Sequence, residues 1–155
     1  MSLRLWTWEL PQTLIGRALK AVRQERGKVL AVERMADGRE LVETEGIAVS
    51  LGGYVFWSRT DRFGHPFEVD LIRAHELGHT VQSRRLGWLY LPVVGVVSST
   101  RALYAQGWQH RHGRPWPRYY DAWPESAADA YGGIIRDESG QRRLPPAGSP
   151  LDQPL

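Results

Sequence analysis

Cysteine is absent from the chain. Disulfides and thiolate metal sites are therefore excluded, and any metal must be held by histidine, carboxylate or water. Lysine is scarce as well: 18 of the 20 cationic residues are arginine, scattered along the chain rather than gathered into one stripe. A phosphate-binding surface needs a concentrated field, so a net charge of +3 and a pI near 9.5 point to a solvated mixed surface, not to nucleic acid. Long apolar runs are missing too. The longest, LGWLYLPVVGVV from Leu86 to Val97, contains Pro92 and falls well short of the roughly 20 residues that a membrane-spanning helix needs. The opening MSLRLWTWELPQT puts Glu9 and Pro11 where a secretory apolar region would run on. The expected location is the cytoplasm. For Leu86–Val97 two readings are open: a buried segment under a neighbouring helix, which is favoured, or peripheral contact with a membrane surface beside Arg84 and Arg85.

What is present is a 155-residue chain, 42% apolar, with 16 glycines and 10 prolines. That length suits one domain with its own core. Apolar residues at Leu10, Leu14, Ile15, Ala18, Leu19 and Val22 make a helical stripe that Gly27 would stop. KVLAVERM reads as a strand, Asp37-Gly38 as a hairpin turn, and residues 39–58 as two strands or one bulged strand. A helix is predicted from about Pro66 to Gly87, a short one in SSTRALYAQGWQ, and another in WPESAADAYGG; the stretch around HRHGRPWPRYYDAW reads as an irregular aromatic loop. The expected fold class is α+β, a small antiparallel sheet packed on two helices, in a single domain over 1–138. The proline-rich stretch 139–155 has little to bury and is expected to be a disordered tail.

The chemistry centres on RAHELGHTVQS. On a helix, residues four apart lie almost above one another, so His75 and His79 project from one face at a separation that lets them share an ion. Glu76 lies about 100° further round, out of easy ligand range but able to reach a water on the same metal. This is the content of an HExxH pattern: two metal ligands and a general base. Gly78 costs roughly 1 kcal/mol relative to alanine in mid-helix, so another segment is expected to pass close there.

A catalytic zinc usually has three protein ligands. His65, His110 and His112 sit in no recognisable ligand context. Glu125 does: in PESAAD, Glu125 and Asp129 are again four apart on a predicted helix, among Ala127, Ala128 and Ala130, which suit close packing. Glu125 would be the third ligand, and Asp129 would accept the free ring N–H of His75.

HELGH followed downstream by a helical E-x-x-x-D resembles the gluzincin group of zinc metallopeptidases, the thermolysin-like clan. The longer runs HELGHTVQSRRLGWLYLPVVG and WPESAADAYGG also resemble a set of small bacterial proteins with a zincin core; the likeness covers about residues 67–135. It implies a zincin-like fold, Zn2+ on His75, His79 and Glu125, Glu76 as base, Asp129 as support for His75, and a peptide or protein substrate. The spacing of 46 residues between His79 and Glu125 is longer than usual for the group. No glycine and third histidine follow HELGH at metzincin spacing.

On this reading the metal lowers the pKa of its water to roughly 7, and Glu76 takes the proton and returns it to the leaving amine. A second oxyanion stabiliser is expected among His110, His112, Tyr119 and Tyr120. The GIAVSLGGYVFW strand is the expected edge for a substrate backbone. A rival reading keeps the metal but makes the protein a non-catalytic module that binds a partner or a membrane surface. The oligomeric state is not legible.

Overall fold

The structure is a computed structural model, described here for residues 3–146. It is α+β. A 3-10 turn, Leu3–Trp6, leads into helix α1, Leu10–Glu25. Four strands follow: β1 (Val29–Arg34), β2 (Glu40–Thr44), β3 (Val49–Leu51) and β4 (Tyr54–Trp57). Helix α2, Val69–Leu86, carries the HELGH run and ends at Gly87. The chain continues through a 3-10 turn, Gly87–Leu89, and a π turn, Leu91–Gly95, into helix α3, Val96–His112. Helix α4, Glu125–Tyr131, and a two-stranded ribbon of β5 (Ile135–Arg136) and β6 (Arg142–Arg143) complete the described chain.

The sheet order is β1-β2-β4-β3. The expected antiparallel sheet is in fact mixed. β1–β2 and β3–β4 are antiparallel, but β2 and β4 run parallel. Residues 39–58 hold three strands rather than two. After β2 the chain crosses to the outer edge as β3 and turns at Gly52-Gly53. It returns as β4 into the slot between β2 and β3. β4 is therefore interior, and all four of its residues are buried. Period-two alternation sends Val55 and Trp57 with Leu41 toward Ile72 of α2, and Tyr54 and Phe56 with Val42 toward Leu19 of α1. The same alternation turns Ser50 of β3 toward α2.

Helix α1 turns only part of its apolar stripe inward, at Leu19. Leu14, Ile15 and Val22 are exposed, and Gln12, Thr13 and Gly16 are buried. Close approach to the β3–β4 turn explains this: a Cβ on Gly16 would meet the Leu51 carbonyl oxygen at 2.6 Å, and Thr13 Oγ1 accepts the Gly53 N–H at 3.1 Å. Gln12 reaches α2, donating to Ser83 Oγ and to the Gly87 carbonyl. Beneath it lies a fully buried ion pair, Arg39 Nη2 to both oxygens of Glu9 at 2.7 and 2.9 Å, completed by Ser83 Oγ donating to Glu9 at 2.5 Å. Losing one member of such a buried pair costs about 3–5 kcal/mol, so this knot fixes α1, the β1–β2 turn and α2 together.

Two further expectations are corrected. The chain from Ser139 does not leave the fold at once: Arg142 and Arg143 pair with β5, and Arg142 reaches Asp129. The remainder of the expected tail, 147–155, lies outside the described residues. The segment Leu86–Val97 is buried only at Gly87, Tyr90 and Val94, while Trp88, Leu89 and Val96 are exposed, so it is not simply a layer under α2.

Candidate metal centre

Helix α2 packs on α4 with small residues at the crossing. A Cβ on Gly78 would stand 1.8 Å from the Ala128 carbonyl oxygen, and one on Gly132 would stand 2.2 Å from the Ala74 carbonyl oxygen. The segment expected near Gly78 is thus α4. This approach brings the imidazoles of α2 against the first turn of α4. Glu125 Oε2 lies 3.0 Å from His75 Nε2 and 3.5 Å from His79 Nε2. All three residues are buried, Glu125 completely. Their donor atoms lie within 4.8 Å of one another, a set that could hold a metal ion.

The second nitrogen of each imidazole is fixed by a partner. His75 Nδ1 donates to Asp129 Oδ1 at 2.8 Å, and His79 Nδ1 pairs with Gln82 Oε1 at 2.7 Å. Gln82 in turn donates to the Pro124 carbonyl at 2.9 Å, tying the His79 orientation to the residue before Glu125. Both Nε2 atoms are therefore aimed at one point. Glu125 Oε1 is buried there without a hydrogen-bond partner, an unsatisfied acceptor of the kind that a cation satisfies. The donor set, the locked outer nitrogens and this orphaned oxygen fit a divalent ion on two imidazoles and one carboxylate.

Electrostatics agree with that fit. Burial alone would lower the His75 pKa, but the hydrogen bonds to Asp129 and Glu125 and the charges of Glu76 and Glu125 outweigh it, raising the value to about 9. Burial works to raise the Glu125 pKa, yet the two histidines and the nearby Ser98 hydroxyl hold it well below the usual carboxylate range. Asp129 is likewise lowered: burial opposes ionisation, and His75 and Arg142 overcome it. Arg142 grips that carboxylate with two bonds, Nε–Oδ2 at 2.8 Å and Nη2–Oδ1 at 2.7 Å, while its guanidinium lies 3.4 Å above the Tyr120 ring.

Glu76 is buried and turned toward β3. Ser50 Oγ lies 2.6 Å from its carbonyl oxygen and 2.9 Å from its Oε2. Its pKa is raised, chiefly by desolvation, against the lowering effect of both histidines and Ser50. With His75 it lines a cavity of about 280 Å3, whose wall includes Ile47 and Ala48 just before β3, Gln106 and Gln109 of α3, and Tyr119 and Tyr120. Of the four expected oxyanion candidates, the structure brings two here. The Tyr120 ring packs edge-on to His75 at 5.1 Å between centroids, and Tyr119 packs on Tyr120 at 4.7 Å. Burial pushes the Tyr120 phenol up to about 12 and raises Tyr119 as well, so both hydroxyls stay protonated. His110 and His112 do not reach the cavity: both are exposed on the last turn of α3, where His112 stacks on Trp108. His65 is also outside the centre, exposed and bonded to Asp61.

Ser50, Gln82 and Arg142 belong to the site and were not anticipated. Gln82 could have been found, because it stands three residues after His79 on the same helix. Ser50 and Arg142 carry no local signal; one comes from a strand and the other from a ribbon beyond α4. No protein-family model, curated protein sequence or solved structure matches this chain.

Proposed function

We propose that the protein is a zinc-dependent metallopeptidase of gluzincin type, with a zincin-like core formed by the sheet, α2 and α4. One observation carries the reading: His75 Nε2, His79 Nε2 and Glu125 converge on one point while Glu76, the residue beside them, lines an adjoining cavity. When bound, a zinc ion would polarise a substrate carbonyl and lower the pKa of its water to about 7. His75, His79 and Glu125 would hold it, with Asp129 and Gln82 fixing the two rings.

Glu76 is suited to proton transfer. Its carboxyl has a raised pKa and a hydrogen bond from Ser50 that sets its orientation, so it can accept a proton from the attacking water and pass it to the leaving amine. The protonated hydroxyls of Tyr119 and Tyr120 can donate to a developing oxyanion, and both residues share the cavity wall with Glu76. β3 is an edge strand, and the chain leading into it, Gly46 to Ala48, lines the cavity. A substrate peptide in extended form would align there; further along, the Ser50 carbonyl already accepts the Tyr90 hydroxyl.

Glu76→Gln tests this function. With an unstructured protein such as casein as substrate, the variant should retain its metal and lose hydrolysis by about 100-fold or more. Hydrolysis unchanged by the substitution would remove Glu76 as the base, and a metal-loaded parent that does not hydrolyse the substrate would sink the peptidase reading and leave a non-catalytic metal-binding module.

A further inference from the structure

Helix α3 is unusual for a globular chain because none of its 17 residues is buried. It is fastened to the body by polar bonds: Arg62 to Gln106, Gln109 to Asp61, and Arg101 to the carbonyls of Arg118 and Tyr119. The limb that leads into it bends away from α2, at 117° between Val69–Leu89 and Leu91–His112. Its outward side is apolar. Val96 is 60% exposed, Leu103 is 68% exposed, and Val93 and Tyr104 lie along the same limb; Trp88 and Leu89, each 60% exposed, stand just before the bend. Beyond the bend, the spacing Val93, Val96, Thr100, Leu103 repeats every three or four residues, which is one helical face.

Charge sets this limb apart a second time. From Leu77 to Tyr120, 44 residues, there is no aspartate or glutamate, and there are six arginines: Arg84, Arg85, Arg101, Arg111, Arg114 and Arg118. The acids of the chain all lie elsewhere. Arg85 stands exposed before the limb, and Arg111 and Arg114 stand exposed at its far end. An apolar helical face flanked by cations, with no acidic residue in its own stretch of chain, matches the boundary between lipid headgroups and acyl chains.

We infer that the Leu91–His112 limb docks in the plane of an anionic membrane surface, with Val93, Val96 and Leu103 directed into the lipid. It does not span. Among the described residues no single helix is long and apolar enough, and α2, the other half of the bent pair, is committed to the core through Ile72 and to the metal centre through His75 and His79. The inward side of α3, Ala102, Ala105, Gln106 and Gln109, walls the cavity beside Glu76. Docking would therefore place α3 between that cavity and the membrane surface. This inference stands apart from the peptidase reading and is tested without metal or turnover.

The test is co-sedimentation of the full chain with vesicles of phosphatidylcholine containing about one-third phosphatidylglycerol, against pure phosphatidylcholine, at low and high salt. The expected result is at least about tenfold stronger binding to the anionic vesicles, weakened by salt. The Val96→Glu/Leu103→Glu variant should lose about tenfold or more at unchanged circular dichroism, since both side chains are exposed. Arg111→Glu/Arg114→Glu, which leaves the apolar face intact, should lose the preference for anionic lipid. Equal binding to both vesicle types, or none, overturns the inference. So does a concentration-dependent dimer that Leu103→Glu abolishes, because a second copy would then cover the face.

Discussion

Gly78 of α2 lies against the Ala128 carbonyl of α4 with no room for a side chain; an added Cβ would stand 1.8 Å from that oxygen. The contact is backbone on both sides, so the helices must separate to admit even a methyl group. Separation also moves Glu125, at the start of α4, away from His75 and His79. Gly78→Ala is therefore expected to destabilise the fold by about 1–3 kcal/mol despite its better helix propensity. It should also weaken metal binding. Urea unfolding and metal titration check this. A stabilised variant with unchanged metal affinity would mean the crossing is looser than described.

Arg142 connects the C-terminal ribbon to the candidate metal centre through Asp129. Arg142→Met keeps the apolar stem over Tyr120 and removes the two bonds to the carboxylate. Asp129 then holds His75 less firmly, and metal affinity is expected to fall by roughly 10–100-fold, the usual effect of removing a partner that orients a ligand. Competition with a chromophoric chelator measures it. Affinity equal to that of the parent would reduce Arg142 to a fastening for the ribbon.

The metal-free protein gains stability from a protonated His75. Its pKa rises from 6.5 to about 9 because hydrogen bonds and charges from Asp129, Glu125 and Glu76 outweigh burial, which acts to lower it. For a raised pKa, the contribution is complete below pH 6.5 and is lost as pH climbs through about 9. On the proposed ligand set, a bound metal would replace that proton on Nε2. The melting temperature measured with chelator should accordingly fall across this window, and the increase on adding zinc should grow. An increase that shrinks with rising pH would contradict the assignment of His75 as a ligand.

Much of the site was legible because helical spacing is short-range. His75 with His79, and Glu125 with Asp129, each follow from an i,i+4 relation on a helix bounded by proline and glycine. Their meeting was also signalled, by Gly78 on one side and three alanines on the other. The sheet was less legible: alternation identified strand segments, but not that β4 would slip between β2 and β3 and run parallel to β2. The stripe on α1 misled because backbone contact at Gly16 and Thr13 decided which face turned inward, and small or polar residues gave the closer fit. His110 and His112 were attractive by composition alone; the extension of α3 through His112 carries both away from the cavity. Arg142 was missed because proline-rich sequence around it read as unattached.

Metal content per chain, compared between the parent and Glu125→Ala after loading with zinc and removal of excess, bears most directly on the centre. The parent should hold about one ion, as a His2Glu site does, and the variant should lose most of it while His75 and His79 remain. Equal occupancy in the two proteins would show that the α4 carboxylate is no ligand, and the convergence of α2 and α4 on a shared ion would have to be abandoned.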